Sequence, residues 1–297
     1  MPMTADDEAV IPGPHLVTKP GMARPPYSSK DKICPPKAFC PIDFLKPRDK
    51  SDQGRWGCSM STVLILGSGP SVTQCREWAR PPFDTIIAIN NAWQVRPDWD
   101  YLIHPEDFPE DRRPQTVAAH QKFITAEDYV PLQNTLGGFV YAGGTMAFTA
   151  GYWALAALRP KVMAFLGCDM TYDAAQTHFY GTGAADPLRK DVTLRSLEAK
   201  SARLMRLAAL RGCATVNLSH DPSRLVFPRS TPEGAAQAMP QAFETEALSD
   251  AQALEDTLDY RVPSGRYWKE EARFDTDDID RLDALWLKSA RPFRTAS

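Results

Sequence analysis

The chain has 297 residues, a formal charge of -3, and 43% hydrophobic and 24% charged residues, close to the averages of globular proteins. That length holds one large domain or two small ones, and the charge gives no basic field for a nucleic-acid backbone, so no nucleic-acid partner is expected. No apolar run reaches the length of a transmembrane segment, and Met1 to Val10 lack the basic-then-apolar order of a secretory signal, which leaves a cytoplasmic protein as the expectation.

Residues 1–60 carry ten of the 26 prolines and few aliphatic residues. Such a stretch cannot bury enough apolar surface to offset the entropy of ordering it, which predicts a disordered Pro-rich arm. Residues 61–230 then read as a Rossmann-like α/β domain that binds a nucleotide and carries catalysis. Thr62-Val63-Leu64-Ile65-Leu66 is a continuous apolar, β-rich run ending in glycine, as a buried parallel strand does. A short helix is expected over 71–79, closed by Pro81-Pro82, then a second buried strand over 85–89 ending at Asn90-Asn91. A third strand follows over 100–104, a helix near 114–119 and a strand over 122–125.

Gly143-Gly144-Thr145 opens a helix over 146–158 that is apolar on nearly every face and therefore buried. The run 161–166 is the next strand and ends in Gly167-Cys168-Asp169. An amphipathic helix is expected over 192–211, stopped by Gly212, with a last strand over 214–218. Strands alternating with helices imply parallel pairing through right-handed crossovers. Residues 231–297 hold 14 acidic and 8 basic residues and form an acidic extension with helical patterns over 242–257 and 277–290. Its expected role is packing across the domain edge, although Trp268, Trp286 and Leu287 suit docking to another protein. The six cysteines form no C-x-x-C pair, and Cys168 and Cys213 read as small buried hydrophobes rather than metal ligands or a disulfide framework.

In doubly wound sheets ligands gather at the carboxyl ends of the strands, where strand order reverses. The residues following each strand are therefore the candidates for chemistry. Gly67-Ser68-Gly69-Pro70-Ser71 offers a tight turn, a proline suited to the first helical turn, and two hydroxyls beside the positive end of a helix, as a phosphate or ribose cradle would. Asn90 and Asn91 suit contact with a base or ribose, or a simple turn. Asp107, Gly144, Thr145 and Asp169 complete the binding set; Asp169 either orients a ligand hydroxyl or caps its own turn. His178, between the strand 161–166 and two glycines, titrates near neutrality and suits a general base. Tyr172 and Tyr180 are candidate hydroxyl donors to developing phosphate charge. Asp169 and Asp173 stand too far apart in sequence for the compact acidic pair that usually holds a sugar-nucleotide metal, so no essential metal is expected.

The ordered series Gly67 to Ser71, Asn90-Asn91, Gly143-Gly144-Thr145, Gly167-Cys168-Asp169 and His178-Phe179-Tyr180-Gly181 resembles two related groups over roughly residues 61–219. One is the bacterial lipooligosaccharide sialyltransferases; the other is the 6-hydroxymethylpterin diphosphokinase-like family, which includes motility accessory factors that modify flagellin. The first resemblance implies metal-independent inverting transfer from CMP-sialic acid. On it, Gly67 to Ser71 hold phosphate and ribose, Asn90 or Asn91 contacts the cytidine, and His178 is the base. The segment between Asp169 and His178 is shorter here than in the sialyltransferases. Their phosphate-binding tyrosine falls where this chain has Thr171, with Tyr172 one place later. That spacing, Arg96-Pro97-Asp98 and Asp107 look more like the second group, which implies diphosphate transfer from ATP and Mg²⁺ to a pterin alcohol. The expectation that the first resemblance implies is a glycosyltransferase-like enzyme that needs no cofactor and acts on a nucleotide-linked small molecule and a surface glycan acceptor. The alternatives are the diphosphokinase, with Mg²⁺, and a non-catalytic nucleotide-binding module. No oligomeric state is implied.

Overall fold

Six strands form one all-parallel sheet: β1 (Thr62–Leu66), β2 (Thr85–Ile89), β3 (Tyr101–Ile103), β4 (Lys122–Ile124), β5 (Val162–Leu166) and β6 (Ala214–Asn217). Their spatial order is β4-β3-β2-β1-β5-β6. The structure, a computed structural model, describes residues 61–171, 177–181, 189–243 and 245–290; all of them fall within one compact unit. The Pro-rich arm 1–60 and Tyr172 lie outside the described residues. Among the described residues, no helix is long and apolar enough to cross a membrane.

The α/β architecture follows from the burial of the central strands. Every residue of β1 and of β5 is buried, and the two pair in register, Leu64 opposite Ala164 and Leu66 opposite Leu166. Successive side chains of a strand face opposite sides of the sheet, so the sheet feeds two cores. Val63, Ile65, Ile87, Met163 and Phe165 join the larger one. Leu64, Leu66, Ile86, Ala164 and Leu166 join the smaller, where they meet Val72, Cys75, Phe83 and Trp99. Burial pushes the Cys75 thiol up to about 11 and the Cys168 thiol up strongly; both are inert hydrophobes at neutral pH.

Helices cover the larger core. They are α1 (Ala126–Asn134), α2 (Phe139–Ala142), α3 (Met146–Trp153), α4 (Leu197–Ala209), α5 (Thr245–Leu258) and α6 (Thr276–Ser289). A π-helical turn, Ala154–Leu158, continues α3, so the expected helix over 146–158 forms in two registers. The smaller core is covered by 3-10 helices instead, Pro70–Glu77 and Asn90–Gln94. The helix expected near 114–119 does not form. That stretch is bends and coil, with Val117 43% exposed, and without an apolar face nothing holds a helix to the sheet.

The C-terminal helices are bolted to the domain by buried polar pairs. Arg203 on α4 donates to both carboxylate oxygens of Glu255 on α5, at 2.6 and 2.7 Å, and to the Tyr152 hydroxyl at 2.8 Å. Trp286 Nε1 on α6 donates to the same Glu255 carboxylate at 2.8 Å, and Lys200 meets Asp283 at 2.8 Å with both side chains almost fully buried. Because each charge is paired and hydrogen-bonded, removing one partner leaves the other uncompensated, at a cost of about 3–5 kcal/mol.

Candidate functional site

β1 delivers the chain into Gly67-Ser68-Gly69-Pro70 between the carboxyl ends of β1 and β5, where the strand order reverses. This is where an open α/β sheet leaves a crevice. The turn, however, is committed to its neighbour. Gly67 N donates to Leu166 O and Gly69 N to Gly167 O, both at 2.8 Å. A Cβ at Gly67 would stand 2.2 Å from Gly167 O, so only glycine permits the approach. The sequence pattern read as a backbone cradle for phosphate is, for these two amides, a clasp between two strand ends. Ser71 is likewise engaged: it is buried, and its Oγ donates to Asp169 Oδ2 at 3.1 Å. Asp169 Oδ1 accepts from Asn217 Nδ2 at 3.2 Å, so this carboxylate bridges three strand ends from the cavity wall.

His178 stands on a tight turn closed by His178 N to Gly181 O and Gly181 N to His178 O, each 3.0 Å. Gly181 has φ +115°, a region that L side chains avoid. One hydrogen bond binds the turn to the first glycine loop, Phe179 N donating to Ser68 O at 2.9 Å, while the Phe179 ring packs on the smaller core. The imidazole stacks on Tyr180 at 5.1 Å between centroids, and its Nδ1 is 2.9 Å from Thr177 Oγ1. Partial burial holds the His178 pKa below its ordinary value of 6.5, which keeps the ring neutral at pH 7.

A cavity of about 1090 Å³ opens above these turns. Of the residues expected at a site, Gly67, Ser68, Gly69, Pro70, Asn90, Asp107, Gly144, Thr145, Asp169, His178 and Tyr180 line it. Ser71 and Asn91 do not; they pack behind the wall, 4% and 6% exposed. Asn90 has φ +52° and Met170, also at the wall, φ +53°. The left-handed conformation costs a residue with a Cβ roughly 1–2 kcal/mol, and such strain is concentrated at functional sites. The Asn90 Oδ1 is buried with no hydrogen-bond partner among the described residues.

No family model, curated protein or solved structure matches this chain. The site rests on its own geometry. Among the described residues, no three His, Cys, Asp or Glu side chains group as a metal-ligand set.

One part of the cavity wall was not anticipated from sequence. Arg189, Arg266, Tyr267 and Trp268 line it, the last three from the acidic extension. Asp191, 8% exposed in its side chain, accepts from Thr193 N at 2.8 Å, Thr193 Oγ1 at 2.6 Å, Tyr267 OH at 2.8 Å and Arg189 Nη2 at 2.7 Å. Burial raises the Asp191 pKa, but the Thr193 and Tyr267 hydrogen bonds and the Arg189 charge together hold it below the usual carboxylate value. Gly144 N donates to Thr193 Oγ1 at 3.0 Å, and a Cβ at Gly144 would stand 2.5 Å from the Tyr267 hydroxyl. Gly144 thus makes room for the extension. The usable signal was Tyr267-Trp268, aromatic residues in a polar loop between two helices, but nothing local says which surface they reach.

Proposed function

We propose that this chain is a glycosyltransferase-like enzyme that transfers a sugar from a nucleotide-activated donor, CMP-linked as the resemblance implies, to a glycan acceptor. The observation that carries the reading is the direct tie between the His178 turn and the first glycine turn, Phe179 N to Ser68 O, on the wall of one cavity at the strand-order reversal. A neutral imidazole beside a nucleotide crevice suits inverting transfer. In the tautomer whose Nδ1–H donates to Thr177 Oγ1, the lone pair lies on Nε2. His178 accepts the proton of the acceptor hydroxyl while that oxygen forms its bond to the anomeric carbon. The bond from that carbon to the phosphate oxygen breaks, and its electron pair leaves with the nucleotide monophosphate. Tyr180, stacked on the ring, is the candidate to donate its hydroxyl to the developing phosphate charge. Positioning alone supplies much of the rate when the two substrates share one cavity.

His178→Ala is expected to lower turnover by about 10²–10⁴-fold while CMP affinity, read by calorimetry, stays within about twofold. Turnover and CMP binding that both survive the change would remove His178 from the mechanism.

One observation favours the diphosphokinase reading as the rival: Glu106 and Asp107 line the same cavity. Two carboxylates together with substrate phosphates are enough to hold Mg²⁺. Melting shifts separate the readings, since CMP or CTP stabilises the transferase and ATP with Mg²⁺ the diphosphokinase.

A further inference from the structure

An anionic ligand in this cavity needs donors, and three of those at the first glycine turn are taken. The amides of Gly67 and Gly69 donate to Leu166 O and Gly167 O, and the Ser71 hydroxyl donates to Asp169. The Thr145 hydroxyl caps α3 by accepting from Phe148 N, which leaves its O–H as a neutral donor to a ligand. Among the described lining residues, the fixed positive charges are Arg189 and Arg266.

These two guanidiniums differ in how they are held. Arg266 faces Glu106 at 3.6 Å with side chains 49% and 66% exposed, a loose surface pair of the kind that fixes no geometry. Among the described residues, Arg189 is anchored along one edge. Its Nη2 donates to Asp191 at 2.7 Å and to the Tyr267 hydroxyl at 3.3 Å, and that buried carboxylate is itself fixed by Thr193 and Tyr267. The rest of the Arg189 side chain, 47% exposed, borders the cavity. A guanidinium clamped at one corner keeps its remaining N–H groups in a fixed fork that matches phosphate or carboxylate oxygens. Asp191 offsets part of the charge but also lowers the ordering cost of binding, because the side chain is already placed.

We propose that Arg189 is the anion-binding residue of the cavity, with Asp191 and Tyr267 as its positioning residues. On the nucleotide-donor reading, on which the choice of ligand rests, the anion is the donor phosphate. Tyr267 comes from the acidic extension, so that extension completes the substrate site as well as packing against the domain.

The test is calorimetric titration of the full chain and of Arg189→Met with CMP, UDP, GDP and AMP, with the matching nucleosides, and with inorganic pyrophosphate. Arg189→Met keeps the length of the stem and removes the charge; an unchanged circular-dichroism spectrum and melting temperature establish that it folds. The expected result is a loss of about tenfold or more in affinity for the bound nucleotide, with its nucleoside unaffected and Arg189→Lys intermediate. A variant that binds the nucleotide as tightly as the wild type overturns the role of Arg189 and leaves the donor reading standing. A wild type that binds none of the nucleotides, yet binds pyrophosphate in an Arg189-dependent way, removes the donor reading and keeps the anion site. A wild type that binds no anion at all overturns both.

Discussion

The turn Gly67 to Pro70 and the cluster of Arg189, Asp191 and Tyr267 border one cavity and are built in opposite ways. The first comes from consecutive residues, and two of its amides are satisfied by the end of β5. The second joins residues 76 and 78 positions apart in sequence and leaves a guanidinium half exposed. A glycine turn in an α/β sheet therefore carries two possible messages, close approach of a ligand or close approach of another strand end. Here the atoms facing Gly67 and Gly69 are those of Gly167 and Cys168. The remote cluster and the His178 turn add polar groups to the same cavity wall.

That contrast makes stability and binding separable. The largest effect is expected where the extension is fastened: Glu255→Ala strands the Arg203 guanidinium among Tyr152, Trp286 and Leu136 and should cost about 3–5 kcal/mol in urea unfolding. A loss under about 1 kcal/mol would mean that the extension is not anchored there. Next, Gly67→Ala drives a methyl into backbone that cannot swing aside, 2.2 Å from Gly167 O. Overpacking of this kind costs about 1–3 kcal/mol, whereas Arg189→Met should stay within about 1 kcal/mol. If equilibrium unfolding ranked those two the other way, the division between a structural turn and a ligand-facing cluster would be lost. The smallest effect is on pH. Burial depresses the pKa values of both His104 and His178, so the neutral rings stabilise the fold fully above 6.5. That contribution is lost as pH falls through the lower folded-state values. Melting temperature should fall on acidification below 6.5, and less so in the double variant His104→Phe, His178→Ala.

Much of the sheet was legible because β1, β2 and β5 are largely apolar runs that end in glycine or asparagine, and strand burial on both faces leaves that signature. The helices α1 and α2 were not. Pro131 sits inside α1, and Gly137-Gly138 separate it from the short α2, so the breakers masked the pattern. The signal that could have found α1 is Thr125-x-x-Asp128, a capping pair whose Asp128 Oδ2 accepts from Thr125 N at 2.9 Å. For the site, position after a strand end was enough to collect Asn90, Asp107, Asp169 and His178, because parallel strands bring their carboxyl ends to one edge, whereas Gly144 and Thr145 follow α2 and reach the cavity at the start of α3. It could not separate Asn90 from Asn91, or Ser68 from Ser71, since one residue of a tight turn faces the crevice while another packs beneath it. Arg189 and Tyr267 were beyond reach for a different reason: their contact depends on how the extension folds back, which no local pattern encodes.

The central claim is that the His178 ring and the first glycine turn belong to one nucleotide site. NMR titration of the His178 ring carbon and the Ser68 amide, with and without saturating CMP, reads it directly. The account predicts a ring midpoint below 6.5 in the free protein and displacement of both signals together when CMP binds. A midpoint at or above 6.5, or a ring signal unmoved by CMP while the Ser68 amide shifts, would contradict it.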